Sequence, residues 1–153
     1  MPTDIHSATT ANELLRLAAR LSRWASASTS FEVPFAQARL LALIDELGPV
    51  RVSALADADH SSQPTVTGQV DRLVASGLVV RETDPTDARA SLVSLTDDGG
   101  AALVRMRAAR ADVLNPVIAQ LDGEGTHRVR VAVDVLSELL DLASSSAPLR
   151  KDR

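Results

Sequence analysis

The chain has 153 residues, a formal net charge of −4 and no cysteine. That length allows one domain with a sizeable core, and the missing thiol excludes disulfides, thiol redox sensing and thiolate metal sites. Abundant Ala, Leu and Val with only two Phe, one Trp and no Tyr suit packed helices, and without a bilayer-length apolar run or a signal-peptide pattern the expectation is a soluble cytoplasmic protein with no membrane partner.

Residues 1–10 are polar and expected to fray. Residues 11–27 read as a helix, with Leu14, Leu17, Leu21 and Trp24 on one stripe and Arg16, Arg20 and Arg23 beside it. A stripe that long needs a partner, either the core or a second subunit. Ser28-Thr29-Ser30 breaks the helix. Pro34 opens the next, which carries Leu40, Leu41, Leu43, Ile44 and Leu47 and stops at Gly48-Pro49. Val50-Arg51-Val52 is short and extended, and Ser53 is placed to cap a brief helix over Ala54 to Ala58.

The stretch 61–96 predicts a helix, a tight turn and two strands joined by a charged hairpin. Ser62 stands at an N-cap with Gln63 and Pro64 in the first turn. Val66, Val70, Leu73 and Val74 form the apolar stripe, and Thr65, Thr67, Gly68, Gln69 and Arg72 fall on the other sides. Gly77 ends this helix, Leu78-Val79-Val80 starts a strand, Asp84-Pro85-Thr86-Asp87 turns, and Leu92 to Leu95 returns. A short helix with small polar residues at its start can lay that end in a DNA major groove. A hairpin tipped with arginine can reach the adjacent minor groove, where the potential is focused. The same pattern also fits a helix and hairpin that only cover a core.

From Asp97 a long helix runs to about Gln120, with two aspartates at its positive end and Arg105, Arg107 and Arg110 in its middle. Asn115-Pro116 should kink or interrupt it. After Asp122-Gly123 a last helix spans about 124–144, carrying Val129, Ala132, Val133, Leu136, Leu139 and Leu140. These faces and the first helix expose more apolar surface than one small lobe can cover. A helical dimerisation domain buries it; a compact monomeric bundle is the other solution.

The charge argues against DNA. Residues 51–96 hold four Arg against six acids, so even the module expected to meet DNA is not basic. The field at the contact face matters more than the sum, and affinity should then rest on few phosphate contacts.

The order of fragments carries more information than any one of them. Ser53-Ala-Leu-Ala, Ser62-x-x-Thr65-Val66-Thr67, Asp71-Arg72-Leu73, Gly77-Leu78-Val79, Arg81, Asp84-Pro85-x-Asp87-x-Arg89 and Leu95-Thr96-x-x-Gly99 follow at close spacing. This run resembles the winged helix-turn-helix of the MarR family, the multiple-antibiotic-resistance type of bacterial regulator. The resemblance implies a mainly α (α+β) fold, with a winged helix-turn-helix DNA-binding lobe over 33–97. A helical dimerisation domain would come from residues 1–32 and 98–146, followed by a flexible tail, 147–153. Three positions of the turn depart from the family: Asp59 and Ser61 replace apolar residues and His60 a common glycine, with Asp59 expected to fray the preceding helix. Gly68 replaces a larger polar or basic residue, and Ala88 replaces a second basic residue at the wing.

The function so implied is a homodimeric, ligand-responsive transcription regulator, a repressor, on a pseudo-palindromic operator in double-stranded DNA. Ser62, Gln63, Thr65, Thr67 and Arg72 are the candidate major-groove contacts. A side-chain amide at Gln63 can pair with adenine, while Ser62 and Thr67 suit phosphate. Arg89 resembles the family's minor-groove arginine, and Asp87 its orienting partner. Family members bind small anionic or phenolic molecules in a crevice whose counterpart here would draw on Arg16, Arg20, Trp24, Phe31 and Phe35. Trp24 has an alternative place in the core. The alternative function is a winged helix kept for protein contact. His6, His60 and His127 lie far apart in sequence, and no metal, nucleophile or phosphate-loop motif occurs, so neither cofactor nor enzyme activity is expected.

Overall fold

In the computed structural model, which describes residues 5–145, the elements follow as α1 (Ile5–Ala27), α2 (Phe35–Leu47), β1 (Val50–Arg51), α3 (Val52–Asp59), α4 (Gln63–Ala75), β2 (Val79–Asp84), β3 (Asp87–Leu95), α5 (Asp97–Ile118) and α6 (Gly123–Ser145). The expected tail, 147–153, lies outside the described residues. The result is a mainly helical chain with one three-stranded antiparallel sheet in the order β1-β3-β2. It falls into two compact units, one up to Val113 and one from Leu114 onward. Among the described residues, no helix is long and apolar enough to cross a membrane.

In the first unit Pro34, extended at ψ 145°, delivers the chain into α2. Gly48, at φ 70°, takes the chain out. Between them Leu40, Leu41 and Ile44 are almost wholly buried. They meet Leu55 of α3, Val66, Val70 and Leu73 of α4, Val79 and Val93 of the sheet, and Leu103 and Met106 of α5. Val74, counted in the apolar stripe of α4, is 36% exposed. It lies at the edge of the arc set by Val66, Val70 and Leu73. Helix α1 begins at Ile5, earlier than expected, since nothing between there and Ala11 breaks a helix.

Two caps differ from expectation. Helix α3 starts at Val52, directly after the two-residue strand, so Ser53 sits inside its first turn and Arg51 is the residue before it, with no side-chain cap. Asp59 does not fray that helix. It is the last residue of α3, and its carboxylate takes Arg39 Nε at 2.6 Å and Nη2 at 2.9 Å.

Helix α4 ends as the sequence reads. The Leu78 N–H reaches Leu73 O at 3.0 Å and the Gly77 N–H reaches Val74 O at 3.0 Å, with Gly77 at φ 75°. This paired closure satisfies the last carbonyls and needs a left-handed residue, which glycine adopts without strain. The wing is longer than expected: Val79 to Asp84 pairs with Asp87 to Leu95, so only Pro85 and Thr86 form the loop. Thr96 closes the lobe, donating its hydroxyl to Gly77 O at 2.7 Å and accepting the Gly99 N–H at 3.0 Å at the start of α5.

Pro116 lies inside α5 without interrupting it; the helix ends two residues later, and the Ala119 N–H bonds Asn115 O at 2.9 Å. In the second unit α6 starts after Asp122, whose carboxylate accepts the Gly125 N–H at 2.6 Å. Val133, Leu136, Leu139, Leu140 and Leu142 of α6 are exposed. In α1 so are Leu14, Leu15, Leu17, Leu21 and Trp24.

Candidate functional site

Helix α4 carries the first group of candidates. Ser62 Oγ accepts the Thr65 N–H at 3.3 Å and shares a hydrogen bond with Thr65 Oγ1 at 2.7 Å. Only one of those two hydroxyl protons remains for a phosphate. Thr67 donates its hydroxyl to Gln63 O at 2.8 Å, so it must rotate to donate elsewhere. The Gln63 amide is exposed, and like the guanidinium of Arg72 it meets no partner among the described residues.

Helical spacing of about 100° per residue divides these side chains into flanks. The buried arc is set by Val66, Val70 and Leu73. Opposite it lie Pro64, Gly68 and Asp71, with Gln63 and Thr67 on one flank and Thr65 and Arg72 on the other. Gln63 and Thr67 look toward the wing, where they line a hollow with Arg51, Ser53, Arg81 and Ser91. Gly68 therefore occupies the outermost line, and a Cβ added there would meet nothing within 4 Å. Gly68→Ala should raise stability by about 1 kcal/mol, the helix-propensity difference. Urea unfolding checks this, and an unchanged midpoint would mean that the glycine relieves a constraint in the free protein.

The wing is held from within. Asp84, 6% exposed, accepts the Thr86 hydroxyl at 2.6 Å, the Thr86 N–H at 2.8 Å and Arg51 Nε at 2.7 Å. These bonds, the Thr86 hydroxyl first, hold its carboxyl down at about 2. A depressed folded value means that the unfolded chain takes the proton first. The contribution to stability is complete above about pH 4, the ordinary carboxyl value, and is lost as pH falls through about 2. An NMR titration should show the Thr86 amide moving with a midpoint near 2; a midpoint near 4 would show that the clamp is not formed.

Asp87 differs from the expected orienting role. Its carboxylate accepts the backbone N–H of Arg89 at 3.1 Å and lies 3.8 Å from Arg51 Nη2, so it braces the hairpin instead of the Arg89 guanidinium. That guanidinium is exposed and meets no partner among the described residues. Three of the six acids of residues 51–96 are held by hydrogen bonds from arginine side chains. Asp71 pairs with Arg81 at 2.6 Å, Asp84 with Arg51, and Asp59 with Arg39. Among the described residues, Arg72 and Arg89 are left as the open cations of the module.

A second concavity lies between α1, α2 and α5, with a volume of about 220 Å³. Phe31, Phe35, Ala38, Ala42, Leu103 and Met106 make its apolar walls. The two phenylalanine rings are 6.2 Å apart and tilted by 48°. Arg39, Arg107 and Arg110 also line it. Arg107 is held by Asp45 at 2.9 Å. Arg110 donates to Ser22 Oγ at 2.9 Å, and its Nε is buried without a partner. Of the residues expected here, Phe31 and Phe35 are present, whereas Arg16, Arg20 and Trp24 are not among the lining. Arg16 instead pairs with Glu13 at 3.2 Å, and Trp24 stays 43% exposed.

The MarR family model matches residues 35–91, which run from α2 through the wing hairpin. The chain is 29% identical to an uncharacterised helix-turn-helix transcriptional regulator of Mycobacterium leprae, over 71% of this chain and 76% of the relative. It superposes on a transcriptional regulator from Thermotoga maritima with a TM-score of 0.61 and 26% identity, covering 74% of this chain and 80% of that one. Over the lobe 35–91 the chain is of the MarR type. It is thus a transcription regulator with a winged-helix DNA-binding lobe. The fold also matches that of apo MarR from Escherichia coli, with a TM-score of 0.62 at 21% identity over 82% of this chain and 95% of that one.

The sequence alone does not mark Arg51 and Arg81 beside α4, or Arg39, Arg107 and Arg110 around the crevice, as residues of a site. Arg81 stands in the family motif run, and the alternating Arg105, Arg107 and Arg110 were visible as a basic stretch. Their partners come from elsewhere in the chain, and no local pattern names them.

Proposed function

We propose that this regulator is a repressor that binds a pseudo-palindromic operator as a homodimer and releases it when a small anionic or phenolic molecule occupies the crevice. The observation that carries the DNA half is the pairing of α4 with the wing: a Gln63 amide at the start of one and an Arg89 guanidinium on the other, neither with a partner among the described residues. In this reading Gln63 reads a base edge, and Ser62 with Thr65 supplies one hydroxyl proton to a phosphate. Thr67 and Arg72 add flanking contacts, Arg89 enters the minor groove, and Asp87 braces the hairpin that carries it.

Dimerisation through residues 1–32 and 98–146, leaving 33–97 as the DNA-binding lobe, is supported by the exposed leucines and valines of α1 and α6. Apolar rows of that length are characteristic of subunit contacts. Multi-angle light scattering at micromolar protein is expected to give twice the chain mass, and a monomer mass would refute the dimer. The crevice is the candidate effector site because its walls are apolar and its three guanidiniums favour an anion.

The competing function, a winged helix used for protein contact, draws on Asp71 standing outward on α4 and on Ala88 at the wing. Electrophoretic mobility shift with the DNA upstream of its own gene separates the two. A sequence-specific shift that competes with unlabelled operator supports the repressor, and no shift at micromolar protein supports the protein-contact module.

A further inference from the structure

We propose that Arg39 couples the crevice to the helix-turn-helix: an aromatic carboxylate in the crevice takes Arg39 away from Asp59 and so loosens the turn between α3 and α4. The proposal rests on the operator-binding reading above and names the device by which occupancy would be felt.

Arg39 belongs to both places. It lines the crevice, and its guanidinium grips both oxygens of Asp59, at 2.6 and 2.9 Å. The Asp59 side chain is 3% exposed and that of Arg39 46%, so the cation can leave for another partner more easily than the carboxylate can reach water. Burial pushes the Asp59 carboxyl up, but bonds from Arg39 and Ser61 outweigh it and hold the group below its ordinary value. Losing Arg39 would leave a desolvated carboxylate with too few partners, and its way out is for the end of α3 to move toward water.

That end is where the backbone is least relaxed. His60, which follows Asp59, is the one non-glycine residue with positive φ among the described residues, at φ 54° and ψ 33°. A side chain in that region persists only where the surroundings hold it. Two residues later Ser62 caps α4. The sequence Asp59, His60, Ser61, Ser62 therefore links the Arg39 ion pair directly to the first turn of the recognition helix.

The ligand class follows from the crevice. Three arginines line it, while among the described residues only Asp45 and Asp59 answer them; Arg110 has a serine and an orphaned Nε. That surplus favours a single negative charge. Phe31 and Phe35, with Leu103 and Met106, offer walls for a flat apolar body in about 220 Å³.

The test uses the full chain with 1-naphthoate and its neutral analogue 1-naphthamide. Calorimetry reads ligand binding, and anisotropy of a labelled operator reads DNA binding. Naphthoate is expected to bind and to weaken operator binding about tenfold, a usual size for allosteric coupling, while naphthamide does neither. Asp59→Asn, which frees Arg39, should bind naphthoate about tenfold more tightly, hold the operator less well from the outset, and lose the response of operator binding to naphthoate. Asp45→Asn frees Arg107 in the same crevice but touches no part of the turn, so naphthoate must still release its operator.

In the unmodified protein, the amide signals of Asp59, His60 and Ser61 should shift with naphthoate. Signals that stay still at saturation overturn the coupling, and this readout stands even if Asp59→Asn fails to fold. Absence of naphthoate binding, or equal behaviour of the two variants, also overturns it while leaving operator binding intact. No operator binding by the unmodified protein removes the underlying reading and the coupling together.

Discussion

Gly99→Ala is expected to lower stability by about 3 kcal/mol, at the upper end of overpacking costs. Gly99 lies in the first turn of α5, where its N–H is capped by Thr96. A Cβ there would stand 1.9 Å from the carbonyl oxygen of Leu78 and 3.0 Å from its carbonyl carbon. Those are backbone atoms, and that same oxygen accepts the Thr96 N–H at 3.1 Å. No rotamer can relieve the clash. Either α5 moves away from the start of β2, or the Thr96 bridge between α4, the wing and α5 breaks. Urea unfolding monitored by circular dichroism checks the effect. The neighbouring Gly100→Ala is the control, because a Cβ at Gly100 meets nothing within 4 Å. It should be neutral or stabilising by up to about 1 kcal/mol. Equal behaviour of the two would mean that the close approach of Leu78 is not made.

Arg89→Ala is expected to weaken operator binding by roughly 1–3 kcal/mol with little change in thermal stability. The guanidinium is exposed and makes no bond within the described residues, so its removal costs the fold almost nothing. In a narrow minor groove the same group would meet a focused negative potential and fix the register of the lobe. Few cations are available to replace it, since Arg51 and Arg81 are engaged by Asp84 and Asp71. Asp87→Ala should cause a smaller loss, because Asp87 holds the Arg89 backbone and not its side chain. Anisotropy at fixed salt, with matched operator and scrambled duplexes, measures both. If Arg89→Ala binds the operator as tightly as the unmodified chain, the wing takes no part in DNA binding.

Much of the lobe could be read from short spacings. The Ser62 cap, Gln63 and Pro64 in the first turn, the buried row Val66, Val70 and Leu73, and the closing Gly77 all act within one or two helical turns. The turn at Pro85-Thr86 is local in the same way, although the strands run further toward it than the apolar residues signalled, because ladder pairing continues through polar positions such as Glu82 and Ser91. A serine at the start of a helix has the same local pattern whether it stands before the first turn or inside it, so Ser53 gives no sign that α3 starts at Val52.

Other features were settled only by how the elements cross. Asp59 looked like a frayed end, yet it meets Arg39 from twenty residues earlier. Asp84 looked like a turn former, and it is also the partner of Arg51, thirty-three residues away. The crevice gathers Phe31 and Phe35 with arginines of α2 and α5 and leaves Arg16, Arg20 and Trp24 of α1 outside it. A helix or a cap depends on neighbours along the chain, whose relative positions are dictated by backbone geometry, so its signal is written in a few adjacent residues. An ion pair, a crevice lining or a glycine pressed on a distant carbonyl depends on the packing of whole elements, and a charge or a small residue alone does not say which partner that packing will bring.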